Sequence, residues 1–138
     1  MLLSNSRSSP GSVPVDTRIL IVDQDRAVGK TLTGMLSATG FDDVRSVLSA
    51  PRAITVADGF RPGIVFLDID LPDMNAYDLA RQLLKQARQH GMRVIALTGS
   101  VDRPTREEAR GGGFERNLVK PVAQSELDKV LRRSQAVS

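Results

Sequence analysis

The stretch GIVFL (63–67), followed directly by DIDLPDMN (68–75), is the strongest single indication of the fold. A continuous apolar run without alternating polar residues is typical of a parallel strand that is buried on both faces. The run ends abruptly at Asp68, and a second carboxylate, Asp70, follows two residues later. Because open parallel sheets bind their ligands beyond the carboxyl ends of their strands, Asp68 is predicted to have a functional role.

Other strand signals alternate with helix signals along the rest of the chain. RILIV (18–22) and RVIALT (93–98) predict buried strands, whereas the more polar VRSVL (44–48) and RNLV (116–119) suit the edges of a sheet. The predicted helices are one capped by Asp25 and ended by Gly40, one from Pro51 to about residue 58, one capped by Asn75 over 76–90, a weak one over 104–110, and one opened by Ser125.

Five strands, each followed by a helix, predict an α/β fold. The economical arrangement is a doubly wound, five-stranded parallel sheet with helices on both faces. The first, third and fourth strands are the most apolar and should be central, which leaves the second and fifth at the edges. That order, 2-1-3-4-5, is the flavodoxin-like one.

Composition limits the classes of function that the chain can have. Its 138 residues suit one domain, predicted over 17–138, after a flexible Ser- and Pro-containing leader at 1–16. The absence of cysteine excludes disulfides and thiolate metal sites, and a single histidine excludes a multi-histidine site. A net charge of +3 is too small to indicate nucleic-acid binding, and no apolar run is long enough to span a membrane. The expected location is the cytoplasm.

Polar residues with a shared chemistry follow the predicted strands. They are Asp23, Gln24 and Asp25 after the first, Asp68 and Asp70 after the third, Thr98 and Ser100 after the fourth, and Lys120 and Pro121 after the fifth. Two carboxylates can share a hard cation such as Mg²⁺, and one of them can act as a nucleophile towards a phosphoryl group. A hydroxyl and an ammonium group can stabilise the charge on the transferred oxygens. No Gly-rich loop follows any strand, which argues against a bound nucleotide.

Four stretches together carry a resemblance to a known family. RILIVDQD, IVFLDIDLPDMNAYDLA, VIALTGS and NLVKPV resemble the receiver domain of two-component response regulators, of the chemotaxis-regulator type. The likeness covers roughly residues 17–135, in order and with reasonable spacing. An acidic turn or a Lys-Pro pair alone would be weak evidence, but four such stretches, each ending its own strand, are specific.

The resemblance implies a phosphorelay function. A histidine kinase or a histidine phosphotransfer protein would donate a phosphoryl group to Asp68, with Mg²⁺ held by Asp23, Asp68 and the backbone carbonyl of Asp70. Thr98 and Lys120 would hold the phosphate, and a cis bond before Pro121 would aim the lysine. A downstream protein target would be contacted through the fourth helix, fifth strand and fifth helix.

Three positions depart from the family pattern. Gln24 stands where most receivers have a second acid that binds Mg²⁺ directly; an amide oxygen can coordinate but adds no charge, so weaker Mg²⁺ binding is predicted. Asn117 replaces the usual aromatic residue of the threonine-aromatic switch, and Ala76 replaces a common glycine. The predicted helix over 104–110 is nearly without apolar residues and rich in arginine, which fits either a solvated face or a mobile basic docking surface.

Alternative functions remain open at this point. Gln24 and Asn117 are compatible with a pseudo-receiver, a protein-binding module that works without phosphorylation, although such a protein would have no reason to keep Asp68, Thr98 and Lys120 together. A hydrolase or phosphatase of the same fold is less favoured, because no general base is evident beyond the metal site. The chain can also be a receiver excised from a larger hybrid kinase, with the leader as a linker.

Overall fold

The structure is a computed structural model that describes residues 13–88, 90–99 and 113–132. Its strands are β1 (Ile19–Val22), β2 (Val44–Val47), β3 (Ile64–Asp68), β4 (Arg93–Thr98) and β5 (Phe114–Val119), and its helices are α1 (Arg26–Ala38), α2 (Ala50–Phe60), α3 (Ala76–Gln86) and α4 (Gln124–Leu131). The strands are all parallel and lie in the order β2-β1-β3-β4-β5. The predicted flavodoxin-like order, with the two polar strands at the edges, is confirmed.

The three central strands carry the core. Every residue of β1 and β3 is buried, as their continuous apolar sequence predicts. Alternate side chains face opposite layers, so that Leu20 and Val65 pack against α2 and α3, whereas Ile21 and Phe66 pack against α1 and α4. The sheet is therefore covered on both faces, and its ligand-binding edge is the one at the carboxyl ends of the strands.

The residues predicted at the helix starts are found there in three of four cases. The side chain of Asp25 caps α1, Asn75 caps α3, and Pro51 lies in the first turn of α2. The prediction that Ser125 opens the last helix was wrong, because α4 begins at Gln124 and Ala123 stands at its N-cap without a side-chain hydrogen bond. The backbone carbonyl of Ala123 accepts from the first turn instead.

Two element boundaries differ from the predicted ones because of glycine turns. Helix α3 ends at Gln86 rather than at residue 90, and the chain turns away through Gly91, which has a φ of 78°. Strand β5 begins at Phe114 rather than at residue 116. It follows Gly113, whose φ is 89° and where an added Cβ would lie 2.4 Å from a Leu84 methyl carbon.

Some predictions concern residues at the margins of the described chain. The predicted helix over 104–110 lies outside the described residues, so α4 corresponds to the fifth helix predicted from the sequence. Residues 13–16, assigned above to the leader, contact the domain: the Val13 amide donates to the Leu131 carbonyl at 2.8 Å and its side chain packs on the core. Within the described ranges, no helix is both long and apolar enough to cross a membrane.

Candidate functional site

Four of the predicted site residues meet at the carboxyl ends of the central strands. Asp23 follows β1, Asp68 ends β3, and Thr98 ends β4; each of these three side chains is only 1% exposed. Lys120 follows β5, and its backbone amide donates to the Thr98 carbonyl at 2.8 Å. Among the described residues, Asp23, Asp68 and Thr98 are the buried polar ones in an otherwise apolar core. Burial of polar groups destabilises a fold unless they are paired, which favours a functional role for them.

Lys120 joins the two buried carboxylates. Its Nζ lies 3.0 Å from Asp23 Oδ2 and 3.7 Å from Asp68 Oδ1, and its side chain is 21% exposed. Partial burial alone would lower the pKa of Lys120, but the hydrogen bond to Asp23 and the charge of Asp68 outweigh it and raise the pKa above its usual value. The ammonium group is therefore fixed in its charged form between the two acids. The peptide bond from Lys120 to Pro121 is cis, as the resemblance implies.

Asp68 is held in an environment that opposes its charge. Burial raises the pKa of its carboxyl group, and the charge of Asp23 adds to that effect, while the hydrogen bond from the Asp70 amide and the charge of Lys120 oppose it without cancelling it. Oxygen Oδ1 accepts the Asp70 amide at 2.8 Å. The other oxygen, Oδ2, accepts no hydrogen bond from the described part of the chain.

The two aspartates are fixed in the same way. The amide of Asp25 donates to Asp23 Oδ1 at 2.8 Å, just as the amide of Asp70 donates to Asp68 Oδ1. Each carboxylate thus accepts the backbone N–H two residues on, which sets its orientation within its own turn. Asp25 accepts from the Ala27 amide and caps α1, so the prediction that it is a cap is confirmed.

The oxygen donors fit Mg²⁺. Asp23 and Asp68 lie close enough to share one lysine, and Mg²⁺ characteristically takes one or two carboxylates with water and other oxygens. Two buried negative charges against one ammonium group leave the site short of positive charge. Within the described ranges, no preassembled group of three metal-binding acidic, histidine or cysteine side chains is present. Gln24 is exposed beside Asp23, and Asp70 is also exposed.

Asn117 differs in its surroundings from the other predicted residues. It lies on β5 opposite Ala96, and its buried Oδ1 has no hydrogen-bond partner among the described residues. Phe114, three residues before Asn117, is buried at the other end of the strand, with its ring 5.4 Å from that of Tyr77 in an edge-on contact. Ser100 lies outside the described residues.

Asp73 has a contact that sequence reasoning did not anticipate. Its Oδ2 accepts a helix amide, that of Ala50 of α2, at 3.1 Å. The contact joins residues that are 23 positions apart. A local sequence pattern carries no signal for such a pairing.

Comparison with known proteins agrees with the fold. A family model for the response regulator receiver domain matches residues 19–132. The DNA-binding response regulator MtrA of Mycolicibacterium paratuberculosis is 32% identical over 110 residues, which are 80% of this chain and 47% of that protein. Protein RcaC of Microchaete diplosiphon is 28% identical over 124 residues, 89% of this chain and 19% of RcaC. The chain thus spans about half the length of the MtrA proteins it matches.

Solved structures show the same fold. A CheY-like receiver domain from Methylobacillus flagellatus superposes with a TM-score of 0.77 at 24% identity, covering 86% of this chain and 98% of that one. The receiver domain of the histidine kinase CKI1 from Arabidopsis thaliana, solved in complex with Mg²⁺ and BeF₃⁻, gives a TM-score of 0.71 at 24% identity, covering 87% and 90%. From the family match over most of its length, the chain belongs to the response regulator receiver domain family.

Proposed function

We propose that this chain accepts a phosphoryl group on Asp68 from a phosphohistidine donor and signals through the resulting change in conformation or by passing the group on. The observation that carries the proposal is the Asp68 carboxylate itself. It is buried at the end of a central strand, one oxygen is fixed by the Asp70 amide, and the other accepts no hydrogen bond from the described residues. A carboxylate held in a fixed orientation at the ligand-binding end of the sheet fits in-line attack on phosphorus.

The transfer can be written with its bonds balanced. Asp68 Oδ2 attacks the phosphorus of the donor, a P–O bond forms, the P–N bond to the donor imidazole breaks, and its electron pair stays on the imidazole nitrogen. Lys120 and Thr98 lie at the ends of the neighbouring strands, where their ammonium and hydroxyl groups can bind the phosphoryl oxygens. Because Lys120 already lies 3.7 Å from Asp68 Oδ1, it needs little movement to do so.

Asp23, Asp68 and the backbone carbonyl of Asp70 are the proposed ligands of Mg²⁺, with Gln24 as a neutral fourth candidate. Bound Mg²⁺ would neutralise charge on the transferred oxygens. Lys120 Nζ donates to Asp23 Oδ2 at 3.0 Å, so the same carboxylate would serve the lysine and the metal. Asp23, one of the proposed ligands, is thus already bound to Lys120. The lack of a carboxylate at position 24 should weaken Mg²⁺ binding further.

A histidine kinase or histidine phosphotransfer protein is the proposed partner upstream, as membership of a two-component family implies. The proposed surface for a downstream protein comprises the predicted helix over 104–110, β5 and α4. Only β5 and α4 lie within the described residues. Within the described part of that surface the charges balance, with Arg116, Lys129 and Arg132 against Glu115, Glu126 and Asp128.

A phosphorylation-independent pseudo-receiver is the second candidate, and Asn117 favours it. An asparagine with a buried, unpaired Oδ1 cannot turn inward as an aromatic ring does, so the family's usual coupling of phosphate to the surface would need another route. The retention of Asp23, Asp68, Thr98 and Lys120 in one buried cluster argues for the phosphoacceptor instead.

The direct test is phosphoryl incorporation. Wild-type protein incubated with Mg²⁺ and acetyl phosphate is expected to gain one phosphoryl group, as measured by intact mass, and the label should be released by hydroxylamine, which cleaves acyl phosphates. Beryllofluoride should shift the amide resonances around Asp68. If neither reagent produces an Asp68-dependent change at any Mg²⁺ concentration, the phosphoacceptor function is refuted and the pseudo-receiver is supported.

Substitution of Gln24 by Asp is expected to tighten Mg²⁺ binding. An added charge about 4 Å from the cation is worth roughly 1–4 kcal/mol before solvent screening, so at this exposed position we expect an affinity roughly ten-fold higher. Titration calorimetry of metal-free protein would measure it. Gln82→Asp adds the same charge to the exposed face of α3 and is the matched control. Equal affinities of Gln24→Asp and wild type would mean that another group already supplies the missing ligand.

A further inference from the structure

The loop between β3 and α3, residues 69–75, is anchored at three places. At its start the Ile69 amide donates to the Leu97 carbonyl at 3.0 Å. At its end the Asn75 side chain accepts from the Tyr77 amide at 2.9 Å and so fixes the start of α3. Between these, Asp73 Oδ2 accepts the Ala50 amide at 3.1 Å. The Asp70 carbonyl, a proposed metal ligand, lies between the first and third of these anchors along the chain.

The Asp73 contact completes the N-terminus of α2. The first amides of a helix have no partner inside it, and those of α2 are all accounted for. Ser49 Oγ accepts from Arg52 at 3.3 Å, the Ser49 carbonyl accepts from Ala53, and Pro51 has no N–H. The Ala50 amide is the remaining one, and Asp73 takes it. A carboxylate at this end of a helix is also favoured by the helix dipole.

The hydrogen bond between Asp73 and the Ala50 amide also connects the two sides of the proposed metal site. On one side, the Asp23 amide donates to the Val47 carbonyl at 3.2 Å, so the end of β2 is bonded to the residue after β1. Three residues after Val47, the Ala50 amide is bonded to Asp73 in the loop that carries Asp70. The Asp23 side and the Asp70 side are thus connected through the start of α2 as well as through the sheet.

From these contacts we infer that Asp73 is a positioning residue for the metal site: through the N-terminus of α2 it holds the Asp70 carbonyl in place relative to Asp23 and Asp68. The inference rests on the proposed function, because it assumes that Mg²⁺ binds at these residues. Asp73 would then belong to the site although it does not bind the metal itself. Residues that orient metal ligands in this way commonly affect the affinity for the metal.

Asp73→Ala tests the inference, with Ser49→Ala as its matched control. Both substitutions remove one side-chain cap from the first turn of α2 and should lower stability to a similar extent, but only the first releases the loop. Asp73→Ala is expected to weaken Mg²⁺ binding roughly ten-fold in calorimetric titrations, whereas Ser49→Ala should stay within about two-fold of wild type. Asp73→Asn retains an oxygen that can accept the Ala50 amide but lacks the charge. Its Mg²⁺ affinity should therefore lie between those of Asp73→Ala and Ser49→Ala.

A second readout does not depend on activity. Because coupling between two sites is reciprocal, Mg²⁺ should slow hydrogen exchange at the Ala50 amide in wild type and Ser49→Ala but not in Asp73→Ala. If Asp73→Ala binds Mg²⁺ as tightly as Ser49→Ala, Asp73 is only a helix cap and the inference is wrong while the proposed function stands. If wild-type protein itself shows no response to Mg²⁺, the proposed function fails, and the inference fails with it.

Discussion

Asp68→Asn is expected to abolish phosphoryl acceptance and, in the same variant, to raise the free energy of unfolding at pH 7. The loss follows because an amide oxygen is a poor nucleophile and cannot form an acyl phosphate. The gain follows because the folded environment disfavours the charge of Asp68: burial, helped by Asp23, raises the pKa of its carboxyl group above the ordinary 3.8. Because Asn carries no charge, it avoids this cost, and Asp68→Asn is therefore expected to be more stable than wild type at pH 7. The Asn side chain can still accept the Asp70 amide.

The pH dependence of that gain has a definite sign. Below pH 3.8 the carboxyl is protonated in both the folded and unfolded states, and wild type and Asp68→Asn should differ little. As pH rises through the interval between 3.8 and the raised folded pKa, the unfolded chain loses its proton first, so wild type loses stability relative to the variant. Above the folded pKa the difference is constant. Denaturant unfolding of metal-free protein at a series of pH values measures it.

Asp42→Asn is the control for both parts of this prediction. It removes a carboxylate of the same type from an exposed position on the loop before β2. It should leave phosphoryl incorporation and stability close to those of wild type. An Asp68→Asn variant that is less stable than wild type at pH 7 would contradict the claim that the folded environment disfavours the charged form of Asp68. Continued incorporation of phosphate by that variant would show that a residue other than Asp68 is the acceptor.

The sheet could be predicted because each of its strands is identified by a short stretch of sequence. Each central strand is a continuous apolar run, three of the four described helices have a recognisable start, and the carboxyl ends of parallel strands must share one edge. Once that order was fixed, Asp23, Asp68, Thr98 and Lys120 had to lie near one another. The structure agrees in bringing both carboxylates within 3.7 Å of the lysine ammonium.

What could not be predicted depends on contacts between distant parts of the chain. Nothing near Asp73 in sequence identifies the Ala50 amide as its donor, because the pairing exists only once β2 and β3 lie on either side of β1. The early start of β5 has a similar origin. Gly113 turns the chain where Leu84 leaves no room for a side chain, and Phe114 is then buried against Tyr77.

The position of Lys120 also went beyond what the resemblance implied. The sequence placed it as a ligand of the phosphoryl group, yet in the structure its shortest contact is with Asp23 Oδ2. A lysine can reach either carboxylate, and the choice is set by the full three-dimensional arrangement of charges rather than by spacing along the chain. Under the proposed function, that contact would make Lys120 a competitor of Mg²⁺ for Asp23 as well as a partner of the phosphate.

Lys120→Met is therefore expected to separate two properties that would otherwise change together. Removal of an oriented cation from the phosphoryl oxygens should slow phosphoryl acceptance roughly 100-fold. Removal of the same cation from Asp23 Oδ2 should make Mg²⁺ bind about five-fold more tightly, because two carboxylates then face the metal without a competing charge. Stability without Mg²⁺ should fall by about 2 kcal/mol, since the two buried acids lose their common partner.

Lys30→Met is the matched control, because it removes the same charge from the exposed face of α1. It should change none of the three measurements appreciably. Calorimetric titration with Mg²⁺, intact-mass time courses with acetyl phosphate and denaturant unfolding together distinguish the possible roles. Weaker Mg²⁺ binding by Lys120→Met would mean that the lysine organises the two aspartates rather than competing with the metal. An unchanged rate of acceptance would leave Lys120 with the structural role alone, as the counter-ion that allows Asp23 and Asp68 to be buried side by side.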